Sequence, residues 1–382
     1  MRKASYPGLA HSTFQKLILE ISISWTPYRR SKVFKEMNPR ERLEAALNHE
    51  TPDYVPISFI GGIFETHYVP GVDIPKYASS GFNMAKAHMA FFETIRPDTI
   101  CCLSDVGLLA QGYGIRMKVS KEPDIHMALG NFPINSPEDW ERLDVLDPRI
   151  DGRMRVYLDA CEICTDKYHD TVPVMVSIPS PITFATRICP MEDVLIQMIT
   201  DPGALKKGLE ALGGTVTAFI NECLKSGAHS VWYLTTRASK EIVTEQQYQE
   251  FGAFYDERVF RGTPDAVHIA HICGIEPYFD LVDGWRKSFR VKGISWWSQG
   301  SNPNLKEAKD NWPELCLMSG MDHTHTLPNG SPEEIEKEVS QSCREAMKGS
   351  GFILAPGCEP SPKTPIESMR AAVKSARKHG KY

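Results

Sequence analysis

Three side chains form a set with an obvious chemical use: His271, Cys273 and, far downstream, Cys358. Residues two apart on an extended strand face the same side, so the imidazole of His271 and the thiolate of Cys273 can reach one ion. One imidazole and two thiolates make a borderline-soft donor set that favours zinc, and the two thiolates cancel its charge. Three protein ligands leave a fourth position for water, substrate or a displaceable side chain, which is the pattern of a catalytic site. Glu359, Asp322 and His323 are candidates for that position or for contact with substrate, alongside water. Against this, an isolated His-x-Cys is a weak motif, and most buried cysteines are simply small hydrophobes.

Other residues invite chemistry less strongly. Cys161-Glu-Ile-Cys164 has metal or redox spacing, but it lies in a helical pattern with no second pair and reads as one face of a helix. Cys101 and Cys102 sit in an apolar run and read as core. His323-Thr-His325 follows a turn and reads as ordinary loop. Asp105, just after a strand, can orient a substrate or cap the next helix. Trp296 and Trp297 are adjacent on a strand and must point to opposite faces, so one is expected to line a substrate pocket and the other to pack under a helix. No Walker-A run, Gly-x-Gly-x-x-Gly turn or Gly-x-Ser-x-Gly elbow is present,.

These groups need a frame to bring them together. Asn38, Pro39 and Glu41 carry an N-cap, a first-turn proline and a capping-box acid. The helix Arg40–Asn48 follows, and then eight short β-rich runs at 54–59, 99–103, 172–178, 230–234, 266–272, 293–296, 315–318 and 352–354. Most are continuously apolar, as parallel strands buried on both faces are. Helical patterns separate them, one opening at Ser331-Pro332 with Glu334 behind it, and a last one closes the chain. Eight strands alternating with helices predict an α/β fold, a (β/α)₈ TIM barrel, with an open doubly wound sheet as the other option. The stretch 106–171 exceeds one loop and one helix and is expected to carry extra structure over one end. In such barrels the reacting groups sit at the C-terminal strand ends, where Asp105, His271, Cys273, Asp322, His323, Cys358 and Glu359 all fall.

Composition narrows the function. Of 382 residues, 42 % are hydrophobic and 24 % charged, with 43 basic against 48 acidic side chains and a net charge of −5. That balance argues against nucleic-acid binding, which needs a basic face. No apolar run approaches the ~18 residues that span a membrane, and the N-terminus lacks a secretory pattern. Ten cysteines in a chain of this length fit a reducing, cytoplasmic setting,. Residues 1–38 hold seven Lys or Arg and two acidic residues. They are expected to be an extension packed on the barrel domain, 39–382, or on a second subunit of a homo-oligomer.

The sequence resembles the uroporphyrinogen decarboxylase superfamily, and within it the zinc-dependent corrinoid methyltransferases. These include methylcobamide:coenzyme M enzymes and the methyl-donor:corrinoid enzymes of O-demethylation. The resemblance rests on His271-Ile-Cys-Gly274, Ala355-Pro-Gly-Cys358 and Pro362-Lys-Thr-Pro365. It is supported by Asn38–Asn48 with Pro52-Asp-Tyr-Val-Pro56, Leu103-Ser-Asp105, Ser180-Pro-Ile-Thr-Phe-Ala185, Thr244–Phe254 and Gly320-Met-Asp322. It implies a TIM barrel and zinc on His271, Cys273 and Cys358. It also implies a corrinoid (cobalamin) carried by a partner protein, with a small-molecule methyl donor. The main expectation is methyl transfer from a small O-methyl compound, such as a methoxylated aromatic, to cobalt(I). Asp105 would orient a hydroxyl there, and Trp296 or Trp297 would stack on a ring. The alternative is transfer from a methyl-corrinoid to a thiol such as coenzyme M. A decarboxylase-like enzyme or a non-catalytic zinc-binding barrel is the remaining reading. Decarboxylases carry an arginine-rich turn after the first strand, whereas Ile60-Gly-Gly-Ile-Phe-Glu-Thr-His67 contains none,.

Overall fold

Asn38 folds as the N-cap its neighbours predict. Its side chain accepts from the Glu41 N–H at 2.9 Å, and the Glu41 carboxylate accepts from the Asn38 N–H at 2.9 Å. The helix Pro39–Leu47 starts there. Its Leu43, Ala46 and Leu47 plug the interior of a curled sheet. The computed structural model describes residues 36–102, 107–118, 128–168 and 170–382. Most of the basic N-terminal segment, and Asp105, lie outside the described residues.

The strands in chain order are β1 (Ile100–Cys102), β2 (Arg116–Lys118), β3 (Ala128–Gly130), β4 (Val174–Pro179), β5 (Ser230–Leu234), β6 (His268–Ile272), β7 (Val291–Trp296), β8 (Cys316–Met321) and β9 (Phe352–Pro356). Seven form one parallel sheet in the order β1-β4-β5-β6-β7-β8-β9. The other two, β2 and β3, make an antiparallel hairpin in the long segment where extra structure is expected. Every parallel connection runs through helix, as parallel pairing requires.

The two edges of the large sheet share one interior. Cys101 of β1 and Ile353 and Ala355 of β9 belong to the same buried cluster as Met175, Trp232, Ile269 and Met318. The sheet is therefore curled. It has seven strands rather than the eight expected, because the run 54–59 does not form a regular strand. Pro56 removes a ladder donor from that stretch and Pro52 another just before it, and Tyr54 pairs antiparallel with Lys381. The segment is stitched between the sheet edges all the same. Leu354 N–H donates to Pro56 O and Ser58 N–H to Leu354 O, both at 2.9 Å, and Asp98 N–H donates to Ile57 O at 2.7 Å.

A buried charge cluster locks this seam. The carboxylate of Asp98, fully buried, accepts from Arg42 Nη1 at 2.5 Å, Ile57 N–H at 2.8 Å and Arg377 Nη2 at 2.8 Å. Arg42 also holds Asp53 through Nε at 2.6 Å and Nη2 at 2.8 Å. First helix, seam segment and last helix, Ile366–His379, thus meet at one carboxylate.

Cys161 and Cys164 are fully buried on the helix Met154–Tyr168, and Cys101 and Cys102 are buried in β1. No helix among the described residues is long and apolar enough to cross a membrane. Removing one member of a buried, fully bonded ion cluster leaves its partners uncompensated. Asp98→Ala is expected to lower the unfolding free energy in urea by about 3–5 kcal/mol. A loss below about 1 kcal/mol, the scale of an exposed ion pair, would show that the seam is held elsewhere.

Candidate metal centre

Register places the site. Leu234 of β5 pairs with His271 of β6, and His271 pairs with Ser295 of β7. His271 is fully buried and points into the interior of the curled sheet, where Trp232 stacks beneath it with ring centroids 4.0 Å apart. Its Nδ1 lies 3.1 Å from Ser295 Oγ. A proton on Nδ1 donated to that hydroxyl leaves the Nε2 lone pair free, which is how a ligating imidazole is oriented.

Nε2 faces the strand end. Cys273 Sγ is 2.8 Å from it, and Cys358 Sγ is 3.8 Å from Cys273 Sγ. The three ligand atoms lie within 4.8 Å of one another, and they are the one such group of three or more among the described residues. Two thiolates on a tetrahedral zinc, each about 2.3 Å from the ion, stand about 3.8 Å apart. The sulfur pair therefore fits the ion as it stands, while the His–Cys pair must open by some tenths of an ångström. Cys273 is exposed at the mouth and Cys358 is half-buried.

Both ligand loops depend on a glycine. A Cβ on Gly274 would lie 2.2 Å from Ser239 Oγ, and one on Gly357 would lie 2.6 Å from the Trp297 Cα. The loop after Cys273 is moored by Ile275 N–H to Glu241 at 2.6 Å and by Ser301 Oγ to Gly274 O at 2.7 Å. Gly357 N–H donates to Met321 O at 3.2 Å.

The pair of thiols is electrostatically uneven. The hydrogen bond from Cys358 holds the Cys273 thiol below its usual value, and Arg237 and Arg187 add to this against the effect of burial. These arginines come from adjacent strand ends. Arg187 lies in the helix Pro181–Ile188 directly after β4, and Arg237 lies just after β5. Ser180 caps that helix by accepting from Thr183 N–H at 3.2 Å, and Thr183 Oγ1 accepts from Thr236 N–H at 3.1 Å.

The candidates for the fourth position stand apart from the three ligand atoms. Glu359 turns its Oε1 to Gly62, where a Cβ would lie 2.0 Å from it. Burial first, then the Cys358 and Glu65 charges, push its carboxyl well above the usual range. Asp322 closes its own turn, accepting from Thr324 N–H at 2.8 Å, Thr324 Oγ1 at 2.6 Å and Trp297 Nε1 at 3.3 Å. His323 packs edge-on against Trp297 with centroids 5.6 Å apart, and its buried Nδ1 has no partner. Burial lowers its pKa, and His271 adds to that.

The two tryptophans do split. Trp297 follows β7 at the mouth. Trp296 does not belong to the pocket: its ring is fully buried on the outer face of β7, edge-on to Phe279 at 5.0 Å, and its Nε1 donates to Pro303 O at 3.0 Å. Sequence reasoning missed Ser295, Trp232, Arg187 and Arg237. Ser295 and Trp232 become neighbours of His271 only once strand register is known. Arg187 sits two residues beyond the Ser180–Ala185 motif, which is the one signal that pointed toward it.

A second buried carboxyl supports the floor of the site. Asp256 accepts from Tyr233 OH at 2.8 Å and Tyr248 OH at 2.6 Å, and the Tyr248 hydroxyl also meets Thr235 Oγ1. Thr235 N–H donates to His271 O at 2.9 Å. Burial pushes the Asp256 pKa up to about 7 against the two tyrosine hydrogen bonds.

Two outcomes follow from this arrangement. Ser295→Ala is expected to weaken zinc affinity by about 10- to 100-fold in chelator competition, because the imidazole loses its orienting partner. Between about pH 4 and the raised Asp256 value, the folded state keeps a proton that the unfolded chain releases, so stability falls as pH rises. Asp256→Asn removes this dependence. Its urea midpoint is expected to gain on wild type between about pH 4.5 and 7.5; a constant difference would place Asp256 in its ionised form throughout.

Residues 38–379 match the uroporphyrinogen decarboxylase (URO-D) family. A methylated-thiol–coenzyme M methyltransferase of Methanosarcina mazei is 25 % identical over 348 residues, covering 90 % of each chain. A methylcobamide:CoM methyltransferase of Methanosarcina acetivorans is 22 % identical over 352 residues, 90 % of this chain and 99 % of the relative. The solved structure of a methyltransferase from Methanosarcina mazei superposes with a TM-score of 0.79 at 23 % identity, over 90 % of this chain and 99 % of that one, so the two share a fold. The chain belongs to the uroporphyrinogen decarboxylase family, and within it resembles the corrinoid methyltransferases.

Proposed function

We propose that this protein is a zinc-dependent methyltransferase that moves a methyl group from a methyl-corrinoid, carried by a partner protein, to the sulfur of a small thiol. The observation that carries this reading is the His271–Cys273–Cys358 cluster at the barrel mouth, with no fourth protein ligand among the described residues. A structural zinc would have four ligands, which speaks against a non-catalytic barrel. The segment around Ile57 serves as the irregular eighth stave closing the barrel. Ten free thiols suit a cytoplasmic setting,.

Zinc bound here supplies a Lewis acid that lowers the pKa of a coordinated thiol. The chain's own groups do the rest. Ser295 fixes the His271 tautomer, Trp232 excludes water from beneath it, and Gly274 and Gly357 let the two cysteine loops close in. Trp297 and His323 wall the mouth. The thiolate sulfur attacks the methyl carbon in line, and the cobalt–carbon bonding pair stays on the corrinoid, which leaves as cobalt(I).

The O-methyl donor direction uses the same three ligands. The thiol direction is preferred because the relatives above are named for coenzyme M as acceptor. A tetrapyrrole decarboxylase is disfavoured by the arginine-free stretch 60–67.

Zinc content and two assays test the proposal. Wild type is expected to hold about one zinc per chain and Cys358→Ser to lose it. Wild type is expected to demethylate methylcobalamin with a thiol and not to methylate cob(I)alamin from a methyl ether. The reverse pattern would restore the O-demethylase reading, and wild type without zinc affinity would remove both.

A further inference from the structure

β6 ends at Ile272, so Cys273 stands outside the ladder and takes its position from the loop that follows. That loop runs antiparallel to the chain after β5. Lys240 N–H donates to Glu276 O and Tyr278 N–H to Ala238 O, both at 3.0 Å, and Ser239 bridges to Pro277. Glu241 folds back over this pairing. Its Oε1 accepts from Ile275 N–H at 2.6 Å, and its Oε2 accepts from Glu276 N–H at 3.2 Å and from Ser239 Oγ. Ser239 is fully buried, and its Oγ also accepts from Glu276 N–H at 3.2 Å. Against the effect of burial, these bonds hold the Glu241 carboxyl below its usual range.

The other side of the loop is tied as well. Ile275 O accepts from Asn302 N–H and Gly274 O from Ser301 Oγ, both at 2.7 Å. The residue two beyond Cys273 thus has its amide and its carbonyl engaged by different neighbouring loops. Gly274 makes room for this, since a Cβ there would lie 2.7 Å from Glu241 Oε1. Capping does not account for Glu241: the next helix, Glu245–Tyr248, starts under its own cap, Thr244.

We infer that Glu241, backed by Ser239, is a positioning residue for Cys273: the carboxylate latches the Ile275 and Glu276 amides and so sets where the thiolate stands relative to Cys358 and the ion. This rests on the metal-centre reading above. A carboxylate suits the task because its two oxygens accept several N–H bonds at once, and such charge-assisted bonds are about twice as strong as neutral ones. Groups beyond the ligands govern metal affinity through the orientation of the ligands they hold.

The test uses the full chain as wild type, Glu241→Ala, Glu241→Gln and Ser239→Ala. Cobalt(II) is titrated in with the sulfur-to-cobalt charge-transfer band as readout, and zinc affinity is measured by competition. Exchange of the Ile275 and Glu276 amides is followed by residue-resolved mass spectrometry, and urea midpoints report stability. Glu241→Ala is expected to weaken zinc binding by about 10-fold and to speed exchange of both amides by as much, the lower end of the worth of a hydrogen bond to a charged group, since Glu241 is exposed,. Ser239→Ala should act in the same direction. Glu241→Gln, which keeps one carbonyl acceptor, should fall between wild type and Glu241→Ala in both readouts. Faster exchange with unchanged zinc affinity and an unchanged charge-transfer band would overturn the positioning role. Unchanged exchange would overturn the latch itself. Zinc affinity that falls only in step with the urea midpoint would mark Glu241 as merely structural. If wild type takes up neither metal, the metal-centre reading fails on its own, and exchange decides the latch: amides protected in wild type and released in Glu241→Ala support it, and equal rates overturn it.

Discussion

A carboxylate at the seam of the sheet governs the geometry of the site at its mouth. β9 is held by a regular ladder on one side only, by β8. On its other side stands the proline-broken segment around Ile57, which supplies a few hydrogen bonds where a strand would supply a ladder. Asp98 compensates by gathering Arg42, Arg377 and the Ile57 amide at one point. Cys358 hangs from the free end of β9, so its distance from Cys273 is set by how firmly this seam is shut. The candidate metal centre is thus coupled to a charge cluster that lies away from it.

The site also shows how three candidate ligands at two strand ends can be placed precisely without a fourth. His271 is fixed by stacking below and by Ser295 beside it, whereas the two cysteines follow strands that have ended. Their precision comes from glycines that admit close approach and from loop carbonyls and amides tied to neighbouring strand ends. Preorganisation therefore rests on backbone packing more than on side-chain bulk, and the open face of the cluster stays available to a ligand.

Much of this was legible in the residues. The N-cap at Asn38, seven of the strands, the helices between them and the opposed faces of the two tryptophans follow from local pattern. The eighth strand misled because its apolar character is real, and only the cost of two prolines in a ladder separates a strand from a stitched segment. The candidate metal ligands could be named because His271 and Cys273 are two apart across the end of one strand. Their supports could not, since Ser295 and Trp232 meet His271 through pairing that no local pattern encodes. Arg187 and Arg237 look like ordinary surface arginines until register sets the ends of β4, β5 and β6 side by side.

The ring of Trp232 has a kinetic meaning. Stacked under His271 and continued by Ile269, Met175 and Met318, it closes the candidate site from below and leaves the strand-end side, where Cys273 is exposed, as the way in. For a transfer between a small acceptor and a corrinoid carried on a whole protein, both reactants must use that opening. The larger one, once seated, stoppers it. On the proposed reaction, turnover would then have a compulsory order: the small molecule would enter first, the carrier would dock over it, and the methylated product would wait for the carrier to depart.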